Sequence, residues 1–391
     1  MKNSIQDKGG NPCCSCGVCA IICPVSSIEI GMDESGFYRP KVNEDVCKQC
    51  GVCKEVCYKY LQSPENNQHF FKDKKIFGAW SKDEDVVKMS SSGGVGGELI
   101  VHGLSKGYLS CGVIFEPEKE RCQHILAESK EVAQAFCGSK YLQSFTAGAF
   151  SQFQPDKKYI VVGTPCQIYG LRQYIKLKKW EDNFILVDFF CHGTPSYLLW
   201  QKYKEYLKTH HDVDALKEVW FRSKENGKWH ENAVRVDDTT GNRYFEPEAF
   251  KKDLFFKFFL SNSCLNDSCP RCLLRHDICS SDIRVADFWG GKYKDNEKGV
   301  SLVALNTKKG EGFFAEIKER LVTENCTFAD LQDSQRHRYY IVHKRASKVM
   351  HLLKTDMELL EIYKRTIKPT LRNRLKERVR KQLRKLFNNN K

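Results

Sequence analysis

Eight cysteines near the start of the chain recur at one interval. They read Cys13-x2-Cys16-x2-Cys19-x3-Cys23-Pro24, then Cys47-x2-Cys50-x2-Cys53-x3-Cys57. Each member of the first run returns 34 residues later. A tight loop with a thiol at every third residue turns three of them toward one point, and a fourth arrives from farther along. Gly17 and Gly51 take the same place in each loop and suit a backbone that bends closely around inorganic sulfur. Zinc knuckles use two pairs of ligands, not two runs of four. A disulfide framework belongs to short secreted chains rather than to one of 391 residues.

This spacing resembles that of the two-cluster bacterial ferredoxins, in which three close cysteines hold one [4Fe–4S] cluster and the fourth crosses to the other. The resemblance assigns Cys13, Cys16, Cys19 and Cys57 to one cluster and Cys47, Cys50, Cys53 and Cys23 to the second. Cys14 falls outside the pattern and reads as a bystander.

Length and charge narrow the rest. A chain of 391 residues with 41% hydrophobic content can bury a sizeable core in two or three domains. Nineteen cysteines in metal-ligand spacings fit a reducing cytoplasm. Met1 to Pro12 is polar, so no signal peptide is expected, and no apolar run approaches the ~18 residues of a membrane span. The net charge of +14 is uneven: Lys364 to Lys391 holds 12 basic residues and one acidic, Glu377. The body is therefore near neutral, and the basic character belongs to the tail.

Beyond the cysteine runs, Ser27 to Ile30 and Gly36 to Val42 read as strands around a turn. Ser63 to Lys75 is polar and reads as a linker. Ser90 to Gly97 is a Ser/Gly turn ahead of a helix, a setting that suits a phosphate or serves as a plain flexible turn. Tyr159 to Val162, Gly163-Thr164-Pro165-Cys166-Gln167 and the helix from Ile168 form a strand-loop-helix unit. Phe184 to Phe190 is a second buried strand, ending at Cys191-His192-Gly193. Strand, helix and strand make a parallel unit whose ligands gather at the strand ends. Trp220 to Tyr244 alternates as strands with a turn at Asp238 to Gly241. Lys251 to Leu260 is a Phe-rich buried helix, followed by Cys264-x4-Cys269-x2-Cys272 and by Asp282 to Gly291, a strand ending in a glycine turn.

Five ordered motifs carry a second resemblance. They are Ser91-Ser92-Gly93-Gly94, Gly138-Ser139-Lys140-Tyr141-Leu142-Gln143-Ser144, Gly163 to Gln167, Cys191 to Ser196, and Ala286-Asp287-Phe288-Trp289-Gly290. Together they resemble the coenzyme F-420 hydrogenase/dehydrogenase beta-subunit family, which includes 7-hydroxymethyl chlorophyll a reductases, over roughly residues 76 to 300. The resemblance implies noncovalent FAD fed by [4Fe–4S] clusters. Its cofactor-binding candidates are Ser91, Ser92, Gly93, Gly94, Gly138, Ser139, Lys140, Tyr141, Gln143, Ser144, Gly163, Thr164, Pro165, Cys166 and Gln167. Lys140 has a surface ion pair as its plainer reading. Cys264, Cys269 and Cys272 supply three thiolates for a third cluster, with Cys191 as the fourth, Cys166 its rival and Cys279 a further competitor. The alternative is that Cys191 and Cys264 are buried core thiols. His192 is the candidate proton donor, with a structural histidine as its counterpart reading, and Asp287 has the same standing.

The expected fold class is α/β, α+β overall. A two-[4Fe–4S] ferredoxin-like domain spans 1–62 and a linker 63–75. An FAD-binding domain spans 76–345, and a helical basic tail 346–391. In the tail, Leu371, Leu375, Val379, Leu383 and Leu386 recur at helical spacing among Arg and Lys. Such a helix suits a peripheral anionic membrane surface or an acidic partner, or is simply solvated. With Phe387 alone among the basic residues, nucleic acid is the weakest reading. The function expected is an iron–sulfur flavoprotein oxidoreductase between a ferredoxin-type donor or acceptor and a small organic substrate. An electron-transfer subunit of a larger dehydrogenase or hydrogenase is the alternative, and an iron–sulfur protein that has lost its flavin is the third.

Overall fold

The computed structural model describes residues 3–6, 9–62, 70–227, 229–336 and 340–368. The two cysteine loops open short helices, Val18–Ile22 and Val52–Glu55, and Gly17 and Gly51 begin them at φ 77° and 78°. A side chain at that φ meets its own backbone, which is why the repeat holds glycine there. Between the loops, β1 (Ile28–Met32) and β2 (Tyr38–Val42) pair antiparallel. Asp33 closes their turn by accepting from the amides of Ser35 and Phe37.

The remaining strands are β3 (Lys75–Ser81), β4 (Leu109–Glu116), β5 (Arg121–Ala127), β6 (Ser144–Phe145), β7 (Tyr159–Val162) and β8 (Phe184–Phe189). They continue as β9 (Leu216–Ser223), β10 (Ala233–Asp238), β11 (Arg243–Glu246), β12 (Ile283–Asp287), β13 (Ser301–Leu305) and β14 (Leu321–Cys326). Nine build one sheet in the order β14-β3-β13-β12-β8-β7-β4-β5-β6. Its centre, β12-β8-β7-β4, is parallel. Both flanks are chiefly antiparallel: β13, β3 and β14 on one side, β5 against β4 on the other. The expected strand-helix-strand unit is therefore present at β7, the helix Pro165–Lys178 and β8, inside a mixed sheet. Ile160, Val161, Phe184 and Leu186 are fully buried, as strands covered on both faces require. A separate sheet runs β11-β10-β9.

The first sixty residues share a core with this body. Val18 and Val56 are fully buried in the cluster that includes Ile168, Leu171, Phe184 and Leu274. Each such valine stabilises the contact by about 1.5–3 kcal/mol. The end of the polar linker also joins the body. Phe71 is fully buried and packs its ring on Phe190. Helices Ala346–Leu353 and Leu359–Thr366 bury Val349, Leu353, Leu359 and Ile362 in the core beneath helix Tyr197–His211. The start of the expected tail is thus packed structure, while its amphipathic stretch after Pro369 lies outside the described residues.

Candidate functional site

Cys13, Cys16, Cys19 and Cys57 face one another. Burial, joined by the charges of Cys16, Cys57 and Cys13, holds the Cys19 thiol well above its ordinary range. Burial likewise pushes Cys57 to about 12, with Cys16 and Cys13 adding to it. Cys53 looks toward Cys23 and Cys50. Burial opposes ionisation of Cys23, yet hydrogen bonds from Ser27 and backbone amides hold its thiol below the ordinary value. Cys50 is exposed and Cys47 half-buried.

The loop that carries Cys13 to Gly17 is bonded to the body at several points. Gln143 donates to the carbonyls of Cys14 and Ser15, at 3.2 and 2.8 Å. Thr146 donates to the carbonyl of Cys16 at 2.7 Å, and Asn266 to the Ser15 hydroxyl at 3.0 Å. Within the first sixty residues, Arg39 of β2 also donates to the Cys13 carbonyl and the Ser15 hydroxyl. Gly170 admits the loop from below: a Cβ there would stand 2.9 Å from Val18 and 3.4 Å from the Cys16 sulfur.

A further group of thiols gathers across the fold. Cys191, buried and therefore held well above the ordinary range, faces Cys269, Cys166 and Cys272. Burial raises Cys272 to about 12, and Cys166 and Cys269 act on it in turn. The four come from the ends of β7 and β8 and from the 264–272 loop. Cys264 stands apart: it is buried in the Phe-rich core beside Ser263 and Ser196. Cys279 turns to Ser281 and Asn306. The structure thus gathers the rival, Cys166, with Cys191, Cys269 and Cys272.

Arg275 braces this group, donating to the carbonyls of Cys191, His192 and Cys269 at 2.9–3.0 Å. Beneath it, buried Arg284 pairs with Asp188 and donates to the carbonyls of Leu274 and Arg275. Its guanidinium lies about 5 Å from the rings of Phe71 and Phe190. Among the described residues, no three His, Cys, Asp or Glu side chains stand close enough to hold one metal ion. Each of the two groups, four thiols drawn from separated loops, offers the all-sulfur donor set that iron–sulfur clusters use.

One cavity of about 980 Å³ opens along the ends of the central strands. That is at the upper end of the ~300–1,000 Å³ of small-molecule sites, enough for an extended cofactor. Ser91, Ser92, Gly94, Gly138, Ser139, Lys140, Tyr141, Ser144, Gly163, Thr164 and Gln167 line it, together with Cys191 and His192. The Ser91 hydroxyl accepts from the amide and hydroxyl of Ser139, at 2.8 and 3.0 Å, which ties the first two motifs together. Gly94 starts helix Val95–Ser105 at φ 86°. Thr164 and Gln167 form a reciprocal cap on the next helix. Lys140 donates to the carbonyls of Ala135 and Cys137, and burial lowers it to about 8.

Four of the candidates are absent from the lining. Gly93 packs against the backbone of Ala79 and Ser301, Pro165 starts its helix, and Gln143 and Cys166 turn toward the Cys14 loop. His192 pairs with the Asn262 side chain at 2.8 Å and lies 4.1 Å from the Tyr340 ring. Asp287 receives Arg222 at 2.5 Å and the Trp229 indole at 3.3 Å. Two residues that sequence reasoning missed support the walls. Tyr340 lies over Arg275 at 4.2 Å. Lys224 donates to the carbonyls of Val87, Ser92 and Lys298, and burial lowers it to about 7. Neither lies in a motif, so only the fold brings them to the site.

Two family models match in sequence, both for the beta subunit of coenzyme F420 hydrogenase/dehydrogenase. The one for its N-terminal part covers residues 76–149, and the one for its C-terminal part covers 156–330. The chain belongs to the coenzyme F420 hydrogenase/dehydrogenase beta-subunit family. It is 27% identical over 188 residues to an F(420)H(2) dehydrogenase subunit of Methanosarcina mazei, covering 46% of this chain and 53% of that protein. It is 26% identical over 319 residues to a coenzyme F420-dependent sulfite reductase of Methanocaldococcus jannaschii, covering 79% of this chain and 46% of the reductase. An uncharacterized protein of the same organism is 25% identical over 357 residues, covering 80% of this chain and 88% of its own. The chain therefore spans about half the length of the dehydrogenase component and of the sulfite reductase. A chain of the F420-reducing [NiFe] hydrogenase complex from Methanosarcina barkeri aligns at a TM-score of 0.47 and 17% identity, covering 74% of this chain and 95% of that one. No helix among the described residues is long and apolar enough to cross a membrane.

Proposed function

We propose that this chain is an iron–sulfur flavoprotein oxidoreductase that passes electrons between a ferredoxin-type protein and a small organic substrate. In this reading residues 1–62 are a two-cluster ferredoxin-like unit and residues 76–345 the flavin-binding unit. The groups proposed are one [4Fe–4S] cluster on Cys13, Cys16, Cys19 and Cys57, a second on Cys23, Cys47, Cys50 and Cys53, and a third on Cys166, Cys191, Cys269 and Cys272. FAD would occupy the cavity. When bound, the clusters carry single electrons and the flavin exchanges them for electron pairs. The names of the relatives, a dehydrogenase component and a sulfite reductase, support the oxidoreductase class.

The single observation that carries the proposal is continuity. Thiols run from exposed Cys50, through the Cys13–Cys19 loop, to Cys166 and on to Cys191, which lines the cavity. The chain's own residues do the remaining work. Ser91 and Ser139 join the two motifs that would receive the pyrophosphate. Lys140 offers a fixed donor in the wall. His192, oriented by Asn262, would be the proton donor to a substrate in the cavity. Phe190, Phe259 and Trp289 add apolar surface to the cavity lining.

The test is anaerobic purification with iron, acid-labile sulfide and flavin measured per chain. About twelve irons and one FAD are expected. About eight irons would remove the third cluster, and absence of flavin after FAD is supplied would sink the enzyme reading. A loaded chain that turns over only when joined to a partner subunit would favour the electron-transfer subunit.

A further inference from the structure

Lys224 follows β9 in the small three-stranded sheet, outside all five motifs, and reaches the loop that opens helix Val95–Ser105. Its Nζ donates to backbone carbonyls of three separate segments: Ser92 at 2.6 Å, and Val87 and Lys298 at 2.7 Å each. A lysine carries three N–H groups only as the ammonium, so the full set of bonds requires the charged form. Burial and the charge of Arg222 work against that form, and Asp287 works for it. Carbonyl oxygens on three sides of one nitrogen replace the water that a buried cation loses. The approach is close. Gly299 stands at φ 111°, and a Cβ there would meet the Ser92 carbonyl at 3.0 Å and the ammonium at 3.2 Å.

The Ser92 carbonyl links this cage to the large cavity. Ser91, Ser92 and Gly94 line the cavity, whereas Lys224 does not. The loop is pinned on the same side by the Ser92 hydroxyl, which donates to the Val300 carbonyl at 2.7 Å, and by the Gly93 amide, which donates to the Ser301 hydroxyl at 3.1 Å. The cation therefore sits behind the loop, and the loop presents its serines and Gly94 to the cavity.

We propose that Lys224 is the positioning residue of the pyrophosphate end of the cavity: its ammonium, seated among three carbonyls behind the Ser91–Gly94 loop, fixes that loop and sets one positive charge behind the phosphates of the dinucleotide. The inference rests on the FAD reading and deepens it, because the loop motif supplies hydroxyls and amides but no charge. A cation held behind a loop attracts an anion in front of it without a direct contact, and does so more strongly where water is scarce. The charge thus selects a phosphate-bearing flavin over one without phosphate.

The experiment titrates flavin into the full-length chain, purified without oxygen and freed of flavin, and compares wild type with Lys224→Met and Lys224→Ala by quenching of flavin fluorescence. Wild-type protein that takes up no FAD sinks the flavin reading itself, whatever Lys224 does. With FAD bound by the wild type, both variants are expected to keep wild-type iron and to bind FAD at least about tenfold more weakly. Their affinity for riboflavin, which carries no phosphate, should stay nearly unchanged. Propylammonium chloride, which matches the part of the side chain missing from Lys224→Ala, should restore FAD binding to that variant. Tetramethylammonium chloride at the same ionic strength has no N–H and should not. Unchanged FAD affinity in iron-replete Lys224→Met overturns the inference. An equal loss for FAD and riboflavin also overturns it, because Lys224 would then only hold the fold, and so does a Lys224→Ala on which the two salts act alike. Should neither variant accumulate, Lys224→Gln keeps amide donors in the cage without the charge, and its FAD and riboflavin affinities are read by the same criteria.

Discussion

Two runs of cysteines share one spacing and end in unlike surroundings. Cys16 and Cys19 are buried against the large sheet's helix, whereas Cys50, the counterpart of Cys16, is exposed. Gly17 meets the buried Thr146, while Gly51 meets the exposed amide of Asn3. The repeat sets the bend of each loop, and the packing around it decides what the loop is for. In the proposed reading, the loop of buried Cys16 would hand electrons inward and the loop of exposed Cys50 would receive them.

The largest expected effect breaks this division directly. Cys19→Ala should lower flavin reduction about a hundredfold or more with a protein donor, since an inward step is lost. Cys50→Ala should do the same with a protein donor but leave reduction by a small diffusible reductant nearly intact. Stopped-flow absorbance checks both; equal loss with the small reductant would end the distinction. Next in size is iron release. A chelator under mild oxidation should strip about four irons in a first, faster phase, from the open run, as followed by iron assay and EPR.

The two loop glycines sharpen the comparison through stability. Both substitutions to alanine strain a left-handed backbone by about 1–2 kcal/mol. Gly17→Ala also drives its Cβ to 2.5 Å from the Thr146 hydroxyl, which is already committed to the Cys16 carbonyl. That overpacking should cost roughly 1–3 kcal/mol more than Gly51→Ala, measured by anaerobic denaturant unfolding. Gln143→Leu comes next, leaving two buried carbonyls without their donor at a cost of about 1–3 kcal/mol. The smallest effect serves as a control outside both runs. Lys140 is lowered to about 8 by burial, so between about pH 8 and its unfolded value the unfolded chain binds more protons. Its contribution to stability therefore rises with pH across that window, and Lys140→Met should flatten the slope in thermal melts while both iron phases stay unchanged.

What was legible in the sequence was local. The cysteine spacing, the loop glycines and strands β7 and β8 are each written within a few neighbouring residues, and the structure forms those elements there. The antiparallel flank was not legible. β3 pairs with β13 and β14 from the far end of the chain, and such pairing leaves no trace in a short window. Cys166 and Cys264 show the same limit at the site. Cys264 sits in a convincing run with Cys269 and Cys272, yet the bend after the Phe-rich helix turns it into the core. Cys166, about a hundred residues away, comes beside them because β7 and β8 are parallel neighbours. Phe71 was hidden in a polar stretch because a single ring among charged residues carries no periodic signal.

The bonds that fasten the first loop have a consequence for motion. Ser196 and Tyr197 hold the turn at Ser35 and Gly36, Asn266 and Gln143 hold the bend at Ser15, and Tyr58 accepts from the amide of Leu273. A carrier domain on a tether must search for its acceptor, and its throughput follows solvent viscosity and tether length. Fastened at this many points, the cysteine loops are a fixed mast rather than a swinging arm. In the proposed reading, the diffusive search is left to a partner that would meet the chain near exposed Cys50.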